Sequence, residues 1–431
     1  MDSISRYLLI AIFFVIFLVM APLIVLYITG KNLPFTDNSL RGTGILDVQS
    51  VPNGADVFLN GEDIGKTPKT TRFIPQGWHN VEVRAEGFRS WKKDLFIETG
   101  QVTYAGRVSD TVLLLPDTEP EQFADEVITA IAYRNQIIYV SDDRTIRVYD
   151  LDRKEEVRAT PQNVRVTELK ASNQNDFFFA KTDANQWTIL NSETLSLTNL
   201  PDPLASAEQL EFGENNTVFG LTNNQLFISQ NSQAPTLLLE GVNGFTYRDN
   251  LLYIASGGEN AELATYYFRG SELQKQLVLV GEGVPNTNNI GLFLTNQKEL
   301  FLLSNDSLFR VNQQLELLKN SVLGVELESA KQRLTFFTPT EIFFYNFSSA
   351  QTELLSRNTN QISGAVVVPT TGYGFISGNF GSEAIEIDNR GNQNRYELFN
   401  GQTVNKLMIS VDERRLVFLT DRQLHSIVIR K

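Results

Sequence analysis

Cysteine is absent from this 431-residue chain, which removes disulfides, thiolate metal sites and thiol nucleophiles together. Histidine occurs only as His79 and His425. A serine nucleophile needs a histidine base, and no G-x-S-x-G elbow is present to position one. Positive charge is short as well: 37 Lys and Arg stand against 50 Asp and Glu, a net charge of −13. Binding to nucleic acid or to anionic lipid would call for clustered basic residues, so both are excluded as expected partners. There are 3 methionines and 3 tryptophans but 29 phenylalanines and 13 tyrosines, a balance that suits the half-buried surfaces of β-sheets.

The remaining chemical candidates read as structure. His79 follows Trp78 after Gly77, but no His, Asp or Glu at ligand spacing accompanies it, so a hydrogen-bonding role is expected. Asp142-Asp143 and Asp150-Leu151-Asp152 lack the alternating oxygens and glycine of a calcium loop. The glycine-rich run Gly378–Glu383 joins two strands with no helix N-terminus for a phosphate. No catalytic, cofactor-binding or metal residue is assigned, and no cofactor is expected. A carboxylate pair brought together from distant segments stays open, because sequence spacing says nothing about its separation.

One stretch differs from all others. Tyr7–Thr29 carries no charge and is almost wholly apolar; at about 1.5 Å per residue it spans roughly 35 Å, enough for a bilayer core. It is too long for a signal-peptide core and lacks a small-x-small cleavage site. The expectation is a transmembrane helix over residues 7–29; Pro22 withholds one backbone donor and can kink it, which membrane helices tolerate better than soluble ones. Charges on its flanks barely choose an orientation. With only residues 1–6 before it, the simplest topology leaves these in the cytoplasm and the rest outside. Residues 30–43 read as a linker.

From residue 44 the pattern has period two. Val57 and Leu59 alternate with Phe58 and Asn60, and Val81 and Val83 with Glu82 and Arg84, giving short strands with one buried face. Pro52-Asn53-Gly54 and Asn60-Gly61 mark tight turns. A compact antiparallel β-sandwich over residues 44–115 is expected. Pro52-Asn53-Gly54-Ala55, with Ser50, Gly65, Thr67, Pro68, Gly77, His79, Gly87 and Phe88 around it, resembles the PEGA domain. Asn53 replaces the glutamate of that family's motif. The resemblance implies an extracytoplasmic β module of bacterial and archaeal surface proteins, often beside membrane segments and without a catalytic role.

Residues 116–126 hold five carboxylates and no basic residue and read as an acidic, solvated linker. From residue 127 to 431 an apolar strand core recurs every forty residues or so: Gln136–Val140, Asp176–Ala180, Thr217–Leu221, Leu251–Ala255, Glu299–Leu303, Arg333–Phe337, Gly372–Ile376 and Arg415–Leu419. Polar pairs such as Asn215-Asn216 or Asp249-Asn250 precede them. This period predicts a β-propeller, whose blades bury their faces only against one another. Eight blades are expected, or seven if the long unit from Val242 to Gly283 is a hairpin insertion. Thr111–Leu115 is expected to complete the last blade and close the ring. The first unit looks like tryptophan-aspartate repeats, with Tyr149-Asp150 in their Trp-Asp position.

The fold class is therefore all-β behind one transmembrane helix. The expected function is a single-pass, membrane-anchored, extracytoplasmic binding or scaffold protein of the cell envelope, its partner a protein or a glycan. The alternative is a hydrolase acting on an envelope polymer, which would need Asp, Glu, Arg and aromatic residues with perturbed pKa values around the central funnel. Trp187, Tyr266, Tyr267 and Tyr373 stand at blade loops or in the core, and sequence alone does not choose.

Overall fold

The computed structural model describes residues 12–21, 24, 42–107, 110–161, 166–171, 177–230, 232–257, 261–270, 272–281, 283–285, 287, 290–295, 297–328 and 333–431. Residues 12–21 are helical, and apolar side chains such as Phe13 and Phe17 are exposed. The rest of the expected span over 7–29, apart from residue 24, lies outside the described residues. Among the described residues, no helix is long and apolar enough to cross a membrane.

The first folded unit is a sandwich of two four-stranded sheets. One sheet orders Glu62–Lys66, Asp56–Leu59, Gly77–Arg84 and Trp91–Ile97, all antiparallel. In the other, Thr43–Val51 pairs antiparallel with Lys69–Pro75 but parallel with Val102–Tyr104 and Thr111–Leu113. The expectation of a purely antiparallel sandwich is corrected there. Leu46, Val48, Val57, Val81, Val83, Leu95 and Ile97 form its core, as their alternation requires. The Pro52–Ala55 turn is held from outside: the Ser50 hydroxyl lies 2.6 Å from that of Thr67, which accepts from the Ala55 amide, and Gly54 takes a φ of +82°. Asn53 is exposed at this bend.

The second unit is a β-propeller. Eight four-stranded antiparallel sheets follow one another along the described chain. Their first strands are Val127–Tyr133, Val166–Lys170, Gln209–Phe212, Val242–Arg248, Gly291–Leu294, Gly324–Glu328, Ile362–Val368 and Lys406–Ile409. Each recurring strand core of the sequence is the second strand of a sheet; residue 176, the start of one, lies outside the described residues. The unit from Val242 is one regular sheet ending at Val280. Buried side chains cluster between successive sheets. Phe219 of the third packs with Phe245 and Tyr247 of the fourth, and Met408 and Val417 of the eighth meet Ala130 and Ile137 of the first, which makes the series a ring. Type I′ turns join many strands, with both central residues at positive φ in Asn223-Asn224, Asp249-Asn250 and Asn305-Asp306.

Closure uses a different strand from the one expected. Glu121–Ala124, inside the segment read as a solvated linker, pairs with Leu424–Val428 and completes the eighth sheet. Its Phe123 stacks on Tyr149 of the first sheet at 4.3 Å. An outermost propeller strand has one face in water, so a carboxylate-rich sequence is tolerated there, and Lys154 pairs with Glu121. Thr111–Leu113 instead extends the sandwich, because Val112 and Leu114 are buried in the sandwich core. The next residue, Leu115, enters the propeller core beside Val366 and Tyr373.

Candidate functional site

Antiparallel sheets in a ring send their turns to two faces. Turns after the first and third strands leave one face, and those after the second and fourth leave the other. The sandwich sits on the first of these, against the seventh and eighth sheets. Its edge strand Trp91–Ile97 meets the turn between Gly381–Glu386 and Arg395–Asn400.

At the centre of that junction is a buried ionic cluster. The Lys93 side chain is wholly inaccessible; its Nζ donates to the Asp388 carbonyl at 2.6 Å and pairs with the carboxylates of Glu386 at 2.9 Å and Asp388 at 3.4 Å. Trp91 Nε1 donates to the other Glu386 oxygen at 2.7 Å. Arg390 pairs with Asp388 and donates to the carbonyls of Tyr104 and Ala105. Burial pushes the Asp388 carboxyl up, but the Arg390 hydrogen bonds and the charge of Lys93 outweigh it and hold the group below its ordinary value. Around this cluster Tyr373 donates to the Leu113 carbonyl, Tyr396 to that of Ser90, and Arg89 to that of Glu397. Segment 116–120 continues the contact: Pro116 bridges to Phe88, Arg89 pairs with Asp117, and Thr118 donates to the Val428 carbonyl. The two units are bolted together, and among the described residues segment 116–120 belongs to the contact and is not a free spacer.

The first strands also bring charges to the ring axis. Glu168, Lys170, Glu211, Glu326 and Lys406 come from the second, third, sixth and eighth sheets yet act on one another electrostatically. Lys170 is exposed and Lys406 half-buried, yet protein surrounds each on most sides. That partial desolvation pulls both ammonium groups below their ordinary value, against the opposing pull of Glu168 on each. Burial pushes the Glu211 carboxyl up to about 7. The same carboxylate accepts from the Tyr247 amide at 2.7 Å and the Thr246 hydroxyl at 3.2 Å, and Gln209 beside it bridges to Phe245. Glu211 thus splices the third sheet to the fourth, as Lys406, donating to the Ala130 carbonyl, splices the eighth to the first.

A cleft of about 630 Å³ opens between the eighth, first and second sheets on the sandwich-bearing face. Its polar groups brace one another. Asn135 donates to Asp412, and Arg158 to the carbonyls of Ser192 and Glu193.

The aromatic candidates fall in the framework. Trp187 is buried and donates to the Ala207 carbonyl, Tyr266 is buried, Tyr267 donates to Gln274, and Tyr373 belongs to the junction. His79 has both ring nitrogens engaged, accepting from Asn60 Nδ2 at Nδ1 and donating to the Pro75 carbonyl from Nε2. His425 is buried against Phe399, with Nε2 unpartnered among the described residues. Among the described residues no group of three or more His, Asp or Glu is placed to hold a metal. The sequence missed the axial charges and Lys93 because each sits in a locally ordinary strand.

The class so defined is a β-propeller with a β-sandwich docked on one face. Residues 43–106 match the PEGA domain family. Solved structures are similar to this chain. The C-terminal WD40 domain of Sif2 has 11% identity, covers 73% of this chain and 99% of that one, and gives a TM-score of 0.53. The computationally designed Ika8 protein has 13% identity, coverages of 72% and 98%, and a TM-score of 0.51. At such identities the likeness concerns the fold alone. No curated protein matches the chain.

Proposed function

We propose that this chain is a single-pass, membrane-anchored, extracytoplasmic binding or scaffold protein of the cell envelope. In this reading the propeller has eight blades, one per sheet, and presents a protein-binding face. The observation that carries the proposal is the bolted junction. It occupies one face of the ring and leaves the opposite face, with exposed turns at Asp142–Arg144, Asp183–Gln186 and Asn305-Asp306, clear of the sandwich. The anchor rests on the uncharged run Tyr7–Thr29 and the exposed apolar helix at 12–21. Turns are where propellers vary without disturbing their cores, and a rigid platform lowers the ordering cost of binding. The clear face carries Asp142, Asp143, Asp183, Asp202 and Asp421 against Arg144 and Arg422, so its partner presents a basic surface.

The Glu211 carboxylate is committed to splicing the third sheet to the fourth through the Tyr247 amide and the Thr246 hydroxyl, which favours binding over hydrolysis. The test is to incubate the full chain in lipid nanodiscs with isolated envelope material and assay both retention and polymer length. Retention without shortening supports the proposal. Shortening of the polymer, abolished by Glu211→Gln, would replace it with the hydrolase.

A further inference from the structure

Trp78 is 66% exposed and Phe96 39%, and their rings meet edge to face at 5.4 Å on the outer face of the sandwich. They are cross-strand partners at one end of the sheet. The same end carries exposed Phe73 and Val102, from the other sheet. It is also the end at which the chain enters: the Gln76 amide donates to the Gly42 carbonyl. The propeller lies elsewhere, along the edge strand Trp91–Ile97 and at the opposite end around Gly87 and Ser90. Glu62, Arg72 and Glu98 are exposed charges near it, a mixture with no basic cluster to draw the tip toward anionic lipid.

We infer that this aromatic tip rests in the headgroup region of the bilayer, a conclusion that depends on the membrane anchor proposed above. Tryptophan favours that zone because its ring is apolar on one side and donates a hydrogen bond on the other. The apolar run ends at Thr29, so residues 30–41 alone separate it from the sandwich. Fully extended, those twelve residues reach about 40 Å and permit the sandwich to stand clear of the membrane. The exposed aromatics at the entry end select contact instead, since apolar area at the surface gains by burial. With the sandwich seated there and the propeller fixed to its far end, the clear face of the ring is held away from the lipid.

Tryptophan fluorescence of the full chain in zwitterionic nanodiscs tests this, with phosphatidylcholine brominated near the headgroup as quencher. Trp91 and Trp187 are buried, and Trp78→Phe supplies their background. The expected result is at least a two-fold loss of the Trp78 signal in brominated discs, which Phe96→Glu reduces at least two-fold. If the chain sits in the disc and Trp78 is not quenched, the tip is not at the membrane and the inference fails with the anchor intact. If Trp78 is shielded only at high protein concentration, the tip meets a second copy and the inference again fails. If the chain does not enter discs at all, the anchor itself is wrong and the inference falls with it.

Discussion

Lys93 shows how far a single residue's role can lie from its local sequence. Trp91-Lys92-Lys93-Asp94 alternates like any surface strand, and only the blade turn folded against it turns Lys93 into a buried cation between Glu386 and Asp388. Removing one member of a buried ion pair strands the others, so Lys93→Met is expected to cost about 3–5 kcal/mol. Chemical denaturation of the full chain in detergent measures it, and a loss below about 1 kcal/mol would show that the cluster contributes little. Glu211 gives a pH signature. Its folded pKa of about 7 lies above the ordinary carboxylate value, so the folded state holds the extra proton and stability falls as pH rises toward 7. Glu211→Gln removes that slope: the variant gains in Tm relative to the parent between pH 5 and pH 8, and equal Tm differences at both would refute the assignment. His425 acts in the opposite sense, since burial lowers its pKa and stability is lost as pH falls below about 6.5.

Strands and turns were largely legible before the fold was known. Period-two alternation located the sandwich core, and one apolar segment per forty residues located the second strand of every sheet, because both signals are local. The closing strand was not legible. Glu121–Ala124 looks like a solvated acidic segment, and its only apolar cue, Phe123, acquires meaning from Tyr149 across the ring seam. Its role predicts a contrast between two truncations. A chain starting at Pro116 keeps the eighth sheet whole, whereas one starting at Val127 leaves Leu424–Val428 as an open edge. Size-exclusion chromatography is expected to find the first largely monomeric and the second aggregated. Equal behaviour would mean that the ring closes without this strand.

At the scale of the molecule, the sequence suggested two beads on an acidic string, and the structure joins them into one body. That difference was invisible locally because the junction links residues some 295 positions apart, such as Trp91 and Glu386. Gly391 lies at the seam with φ +59°, and a side chain there would collide with the Asp94 carbonyl. Gly391→Val is therefore expected to undock the sandwich while sparing the propeller core, exposing residues 110–120 to limited proteolysis; continued resistance would count against a rigid junction. The central claim is that the face opposite the sandwich binds a protein. Site-specific photo-crosslinking in the native cell tests it most directly, with the probe placed at exposed Asn185, Asn223 or Asn305 on the clear face, or at Arg153, Asp249 or Lys298 on the sandwich-bearing face. The account predicts one recurring protein adduct from the first three positions and none from the others. The same adduct arising only from Arg153, Asp249 or Lys298 would contradict it.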